Sequence, residues 1–179
     1  MALRSQVLAT IAVALLLAAA TAAAQIPGQD PLTPEEANQV RNTAGRLDKR
    51  IPLLLRFAEE RLASFRKIRS GPPNAPGRSA QLYALLRQYR AILPELNDAM
   101  DDLSSPGEPG GPKYKIPKIL PGVIEAQKQL VAELQQIRSN SPATDLATYH
   151  FELQDCLDAT RDSLQDAEQD LAGASKGRL

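Results

Sequence analysis

The spacing of apolar residues between Thr33 and Ser70 constrains this chain more than any other feature. Val40, Ala44, Leu47, Ile51, Leu54, Ala58, Leu62, Phe65 and Ile68 follow one another at steps that mostly alternate between four and three. Such steps lay one apolar seam along a helix, and a seam that long suits packing against other long helices. The stretch opens with Thr33, Pro34, Glu35 and Glu36: a hydroxyl cap, a proline in the first turn and a glutamate three residues on. Ser70, Gly71, Pro72 and Pro73 end it. One helix is therefore expected over residues 33–70, weakened at Gly45 and kinked at Pro52, where a backbone donor is missing.

Three more seams follow. Residues 79–104 carry Leu82, Leu85, Tyr89, Ile92, Leu96, Ala99 and Leu103, with Pro94 inside the run. Residues 119–139 carry Leu120, Val123, Ile124, Leu130, Val131, Leu134 and Ile137, and Pro121 fits only in a first turn. Ser141 caps a fourth helix over 142–172, seamed by Leu146, Tyr149, Leu153, Leu157, Thr160, Leu164, Ala167 and Leu171. Gly173 marks its end, and residues 174–179 read as a frayed tail. No strand-like alternation occurs. The expected fold is all-α: a four-helix bundle, antiparallel and up-and-down, with kinked first and second helices over residues 33–173. An extended pair of hairpins would show the same seams. Folding the first two helices about Gly71–Gly77 brings Pro52 and Pro94 within about one turn of the same height, which fits either a shared curve around the core or a hinge.

The first 24 residues are not read as fold. Arg4 precedes an apolar run from Val7 to Ala20, and Ala22, Ala23 and Ala24 supply small residues before Gln25. This is the layout of an export signal cut between Ala24 and Gln25; an uncleaved anchor is the competing reading. No cysteine follows the run and no paired arginines precede it, which argues against a lipid anchor and a folded-export signal. Residues 25–32 read as a flexible lead. The expected location is extracytoplasmic, periplasmic or secreted, with membrane contact only through the signal segment. A lone cysteine there forms no internal disulfide.

Formal net charge is zero but unevenly spread. Residues 41–69 hold nine basic against three acidic residues, a surplus of six; residues 142–172 hold one basic against eight acidic, a deficit of seven. Opposite surpluses suggest that the first and fourth helices lie side by side, within one chain or between two, with charge setting orientation more than stability. The connection from Ser105 to Pro117 is rich in proline and glycine and long enough to cross an end of a bundle. Lys113, Tyr114, Lys115 and Lys118 make it the basic, aromatic-bearing loop, a contact site or simply a solvated one.

Chemistry is narrowed by scarcity. One histidine, His150, excludes histidine-rich zinc sites and paired Glu-x-x-His di-iron sites. A Met–His haem would use Met100 and His150, which an up-and-down bundle puts near opposite ends, so no cofactor is expected. Cys156 lies six residues from His150 on the same helix, about 600° of rotation, so the two do not form a nucleophile–base pair. Cys156 is expected to be a buried inert thiol, with an exposed reactive thiol that forms an intermolecular disulfide as the alternative. Asp155, Asp158, Asp162, Asp166 and Asp170 form an acidic stripe that reads as a solvated or ion-paired face. The basic first helix lacks interleaved aromatics, and with export this argues against nucleic acid. Leu32-Thr33-Pro34-Glu35-Glu36 resembles the Leu-Thr-x-x-Gln start of small helical periplasmic stress chaperones, with Glu36 in place of the final Gln and no second copy; no function is carried over from it.

These observations favour an exported binding or scaffold protein of the cell envelope without catalytic activity, its partner another envelope protein or itself. A carrier of a small ligand or cofactor in a core cavity is the alternative, and an enzyme with Cys156 as nucleophile comes third.

Overall fold

The structure, a computed structural model, describes residues 31–104 and 116–176. Among these, every regular element is helical, as the seams require: α1 (Pro34–Arg41), α2 (Leu47–Arg69), α3 (Arg78–Ser104), α4 (Ile116–Asn140) and α5 (Ala143–Lys176). The expected export segment with its Ala24–Gln25 junction, and Lys113, Tyr114 and Lys115 of the connecting segment, lie outside the described residues.

The single helix expected over 33–70 is two. Residues 42–46 form a turn in which Thr43, Ala44 and Arg46 amides reach carbonyls three residues back. Gly45 adopts φ +69, a left-handed conformation that glycine takes without a Cβ penalty. Gly45 thus reverses the chain rather than weakening a helix, and Ala44 leaves the seam for solvent. The start at Thr33 is a capping box: its hydroxyl accepts the Glu36 amide at 3.2 Å, and its amide donates to the Glu36 carboxylate at 2.7 Å. α1 folds back along α2, so that Gln39 meets Arg56 and Glu36 meets Arg61.

Two other boundaries move. α4 begins at Ile116, because Pro117 at its second position forgoes a donor that would have no intrahelical partner there. Pro121 therefore lies in the second turn, and Lys118 is helical rather than part of the loop. α5 continues through Gly173 to Lys176; Gly173 is not among the positive-φ glycines, and a glycine in helical geometry costs only about 1 kcal/mol.

The four long helices close a circuit of contacts: α2 with α3, α3 with α5, α5 with α4, and α4 with α2. Within each hairpin the helices are antiparallel, with Arg50 meeting Glu95 at 2.8 Å and Lys128 meeting Glu168 at 2.9 Å. The first of these pairs sets Pro52 opposite Pro94. Between hairpins the neighbours run parallel: Arg78 pairs with Asp145 and Tyr89 with Thr160 across α3 and α5, while Arg66 pairs with Glu133 across α2 and α4. Within the chain, the expected side-by-side placement of the two oppositely charged helices is corrected. α2 and α5 share no extended contact and meet where Phe65 and Tyr149 pack edge to face at 5.3 Å. The cations of α2 are met by Glu36, Glu95 and Glu133, and the carboxylates of α5 by Arg78, Arg90 and Lys128. Helices carrying both signs stand between the two surpluses.

One apolar cluster draws on all five helices, from Val40 and Leu54 to Leu96, Leu134 and Leu157. Each fully buried side chain of this size contributes roughly 1.5–3 kcal/mol. Polar bonds inside it fix the register of the hairpins: Tyr89 with Thr160 at 2.7 Å, and Gln127 donating to Ser163, which donates to Asn97. At the end that holds both hairpin turns, Arg78 grips Asp145 with both guanidinium nitrogens and also donates to the Arg69 carbonyl. Arg69 and Tyr149 both reach Ser141 there.

Candidate binding groove

Of the four contacts in the circuit, that between α2 and α4 is the slenderest, and an open groove runs along it. Its first hollow, about 430 Å³, is floored by Pro52, Leu55, Ile119, Val123 and Ala126. Asp48, Arg56, Glu59 and Lys118 stand around it. A second hollow of about 370 Å³ continues along the same helices over Ala63 and Leu130, between Glu60, Arg66 and Glu133. Glu59 lines both. From Asp48 to Arg66 the groove follows α2 for about 27 Å at 1.5 Å per residue.

Local sequence explains the opening. Gly122 gives α4 no side chain at the first hollow, and a Cβ built there meets nothing within 4 Å. Ala63 and Ala126, with only a methyl group each, leave the rest of the groove unfilled. The charged residues are unevenly satisfied. Arg56 pairs with Glu60 on its own helix at 3.5 Å, and Arg66 with Glu133 at 3.1 Å. The Glu59 carboxylate makes no ion pair or hydrogen bond among the described residues, yet it acts on Glu133. Burial pushes the Glu133 carboxyl up; Arg66 draws it down, and the charge of Glu59 adds to the rise.

The residues singled out in the sequence are scattered. Cys156 is fully buried, its thiol donating to the Leu86 carbonyl at 3.4 Å, and burial pushes its pKa up. Lys118 is exposed at the groove's first hollow. Met100 is buried late in α3, whereas His150 is exposed early in α5 with its ring against Phe151, so the structure does not bring them together. Among the described residues, no group of three or more His, Cys, Asp or Glu is placed to hold a metal ion, and no helix is long and apolar enough to cross a membrane.

Sequence reasoning missed Glu59, Glu133 and Gly122. Only the two alanines and the glycine on facing helices hint at a gap, and such residues read equally well as close packing. No family model matches the chain, and no curated protein or solved structure is similar to it.

Proposed function

We propose that the chain is an exported helical binding module of the cell envelope that acts by holding another protein rather than by catalysis. In this reading the four long helices form one bundle, with α1 as a strap on α2, and the partner seats in the α2/α4 groove. The observation that carries it is the groove itself, with its apolar floor and charged rims. The apolar run from Val7 to Ala20, followed by the small residues Ala22, Ala23 and Ala24, supports export. The buried, protonated state of Cys156 speaks for a structural role rather than a nucleophilic one. The test is photo-crosslinking in intact cells from Ala63, Ala126 and, on another face, the exposed Arg87. Groove positions should capture the same protein and Arg87 should not. Equal capture from all three, or none from the groove, defeats the proposal.

The size of the first hollow favours a second reading, a carrier for a small ligand, since pockets for such ligands begin near 300 Å³. A native mass spectrum of the protein from its extracytoplasmic fraction would then show a bound small molecule.

A further inference from the structure

The groove's charge arrangement narrows what can lie in it. The argument rests on the groove being the binding site. Glu59 sits midway along, common to both hollows, on a stretch whose cations Arg56 and Arg66 are already engaged by Glu60 and Glu133. The residues lining the two hollows include four carboxylates (Asp48, Glu59, Glu60 and Glu133) and three cations (Arg56, Arg66 and Lys118), so an occupant covering the floor would desolvate a surplus of one negative charge unless it brings a cation of its own. The length and apolar floor of the groove match one face of a helix. The other side of α2 already takes a helix: α1 lies there with its Glu36 carboxylate locked onto a cation of α2, Arg61.

A second copy of this chain is a poor occupant. Two such grooves facing each other about a two-fold axis would set Glu59 against Glu59 at the centre, with the Glu133 carboxylates close by.

From these juxtapositions we infer that the α2/α4 groove receives a single amphipathic helix of a partner protein, whose apolar face carries one lysine or arginine that pairs with Glu59 midway along the groove. The mirrored arrangement on the α1 side has the cation on α2 and the carboxylate on the incoming helix; here the roles reverse.

The experiment uses the mature full-length chain and three fluorescent helical peptides of about 18 residues, the groove's length at 1.5 Å per residue. They share one Ala/Leu face and differ at its centre: Lys, Leu or Glu. Fluorescence anisotropy should show the Lys peptide binding at least about tenfold more tightly than the Glu peptide, a difference typical of a desolvated charge pair. Glu59→Gln should remove most of that preference, and Gly122→Trp, which fills the first hollow, should abolish binding of all three. Gly122→Ala serves as the folded control. Equal binding of the three peptides that Gly122→Trp still abolishes overturns the cation inference while leaving the groove as the binding site. Binding that survives Gly122→Trp, or no binding, overturns both. A dimer in native mass spectra, or affinity that rises on changing Lys113 and Lys115 to Ala, assigns the groove to a second copy or to the chain's own connecting segment, and also overturns the proposal.

Discussion

On one side of α2, Arg61 is held by Glu36 of α1 through two hydrogen bonds of 2.9 and 2.6 Å, with both side chains about nine-tenths buried. On the other side, Arg66 is half exposed beside an uncovered apolar floor. Arg61 and Glu59 are two positions apart, about 200° around the helix, so neighbours in sequence face opposite fates. The covered side shows what a second helix does to such a surface: it turns a solvated cation into a structural group that must stay paired. The open side keeps its charges hydrated and interchangeable until something covers them.

Removing the cation from each side sharpens that contrast most. Arg61→Ala leaves the Glu36 carboxylate buried without its guanidinium and should cost about 3–5 kcal/mol, read from denaturant midpoints together with faster proteolysis in the 42–46 turn. Arg66→Ala, on the open side, should cost no more than about 1 kcal/mol. Equal costs would erase the distinction between the two sides.

Acid titration separates them next. Burial alone would raise the Glu36 carboxyl, but hydrogen bonds from Arg61 and Thr33 outweigh it and hold the pKa below the ordinary value of 4.5. A carboxylate whose folded pKa lies below its unfolded one contributes stability above the unfolded value and loses it as pH falls through the folded one. Asp145, held down chiefly by its hydrogen bonds from Arg78, behaves likewise below 3.8. Glu133 has the opposite sign: its raised pKa makes its ionised form slightly destabilising, and protonation relieves that. Urea midpoints should therefore fall as pH drops below about 4, and Arg61→Ala should flatten the Glu36 part of that fall. Unchanged acid limbs in the variant would break the assignment.

The smallest effects concern two glycines. Gly45→Ala strains the positive-φ turn that returns α1 to α2 and should cost about 1 kcal/mol. Gly122→Ala, in open space within a helix, should gain up to about 1 kcal/mol in thermal denaturation.

Much of the covered interior was legible in advance because burial follows helical period. All seven positions of the seam from Leu82 to Leu103 face inward except Leu85, which is half-buried while Leu86 takes the core position. The capping box at Thr33 was equally readable, since its partners are three residues apart. Arg61 and Glu36 were not: they stand 25 residues apart off the seam, and an off-seam charge reads as solvated until a chain reversal brings its partner over. Charge totals misled for a related reason, as a sum along α2 or α5 does not say which neighbour absorbs it. The groove depends on a thin contact between two helices, which periodicity does not encode.

The order of helices around the circuit has a kinetic side. The hairpins α2–α3 and α4–α5 close through short turns, whereas the pairs Arg78–Asp145 and Tyr89–Thr160 join residues 67 and 71 positions apart. Short closures cost less entropy and come first. Topology thus favours two fast local collapses followed by one docking event between finished hairpins, whose covalent connection keeps their mutual concentration high. A chain severed between the hairpins would carry out the same docking as a bimolecular reaction, at a rate set by how much of each half is present.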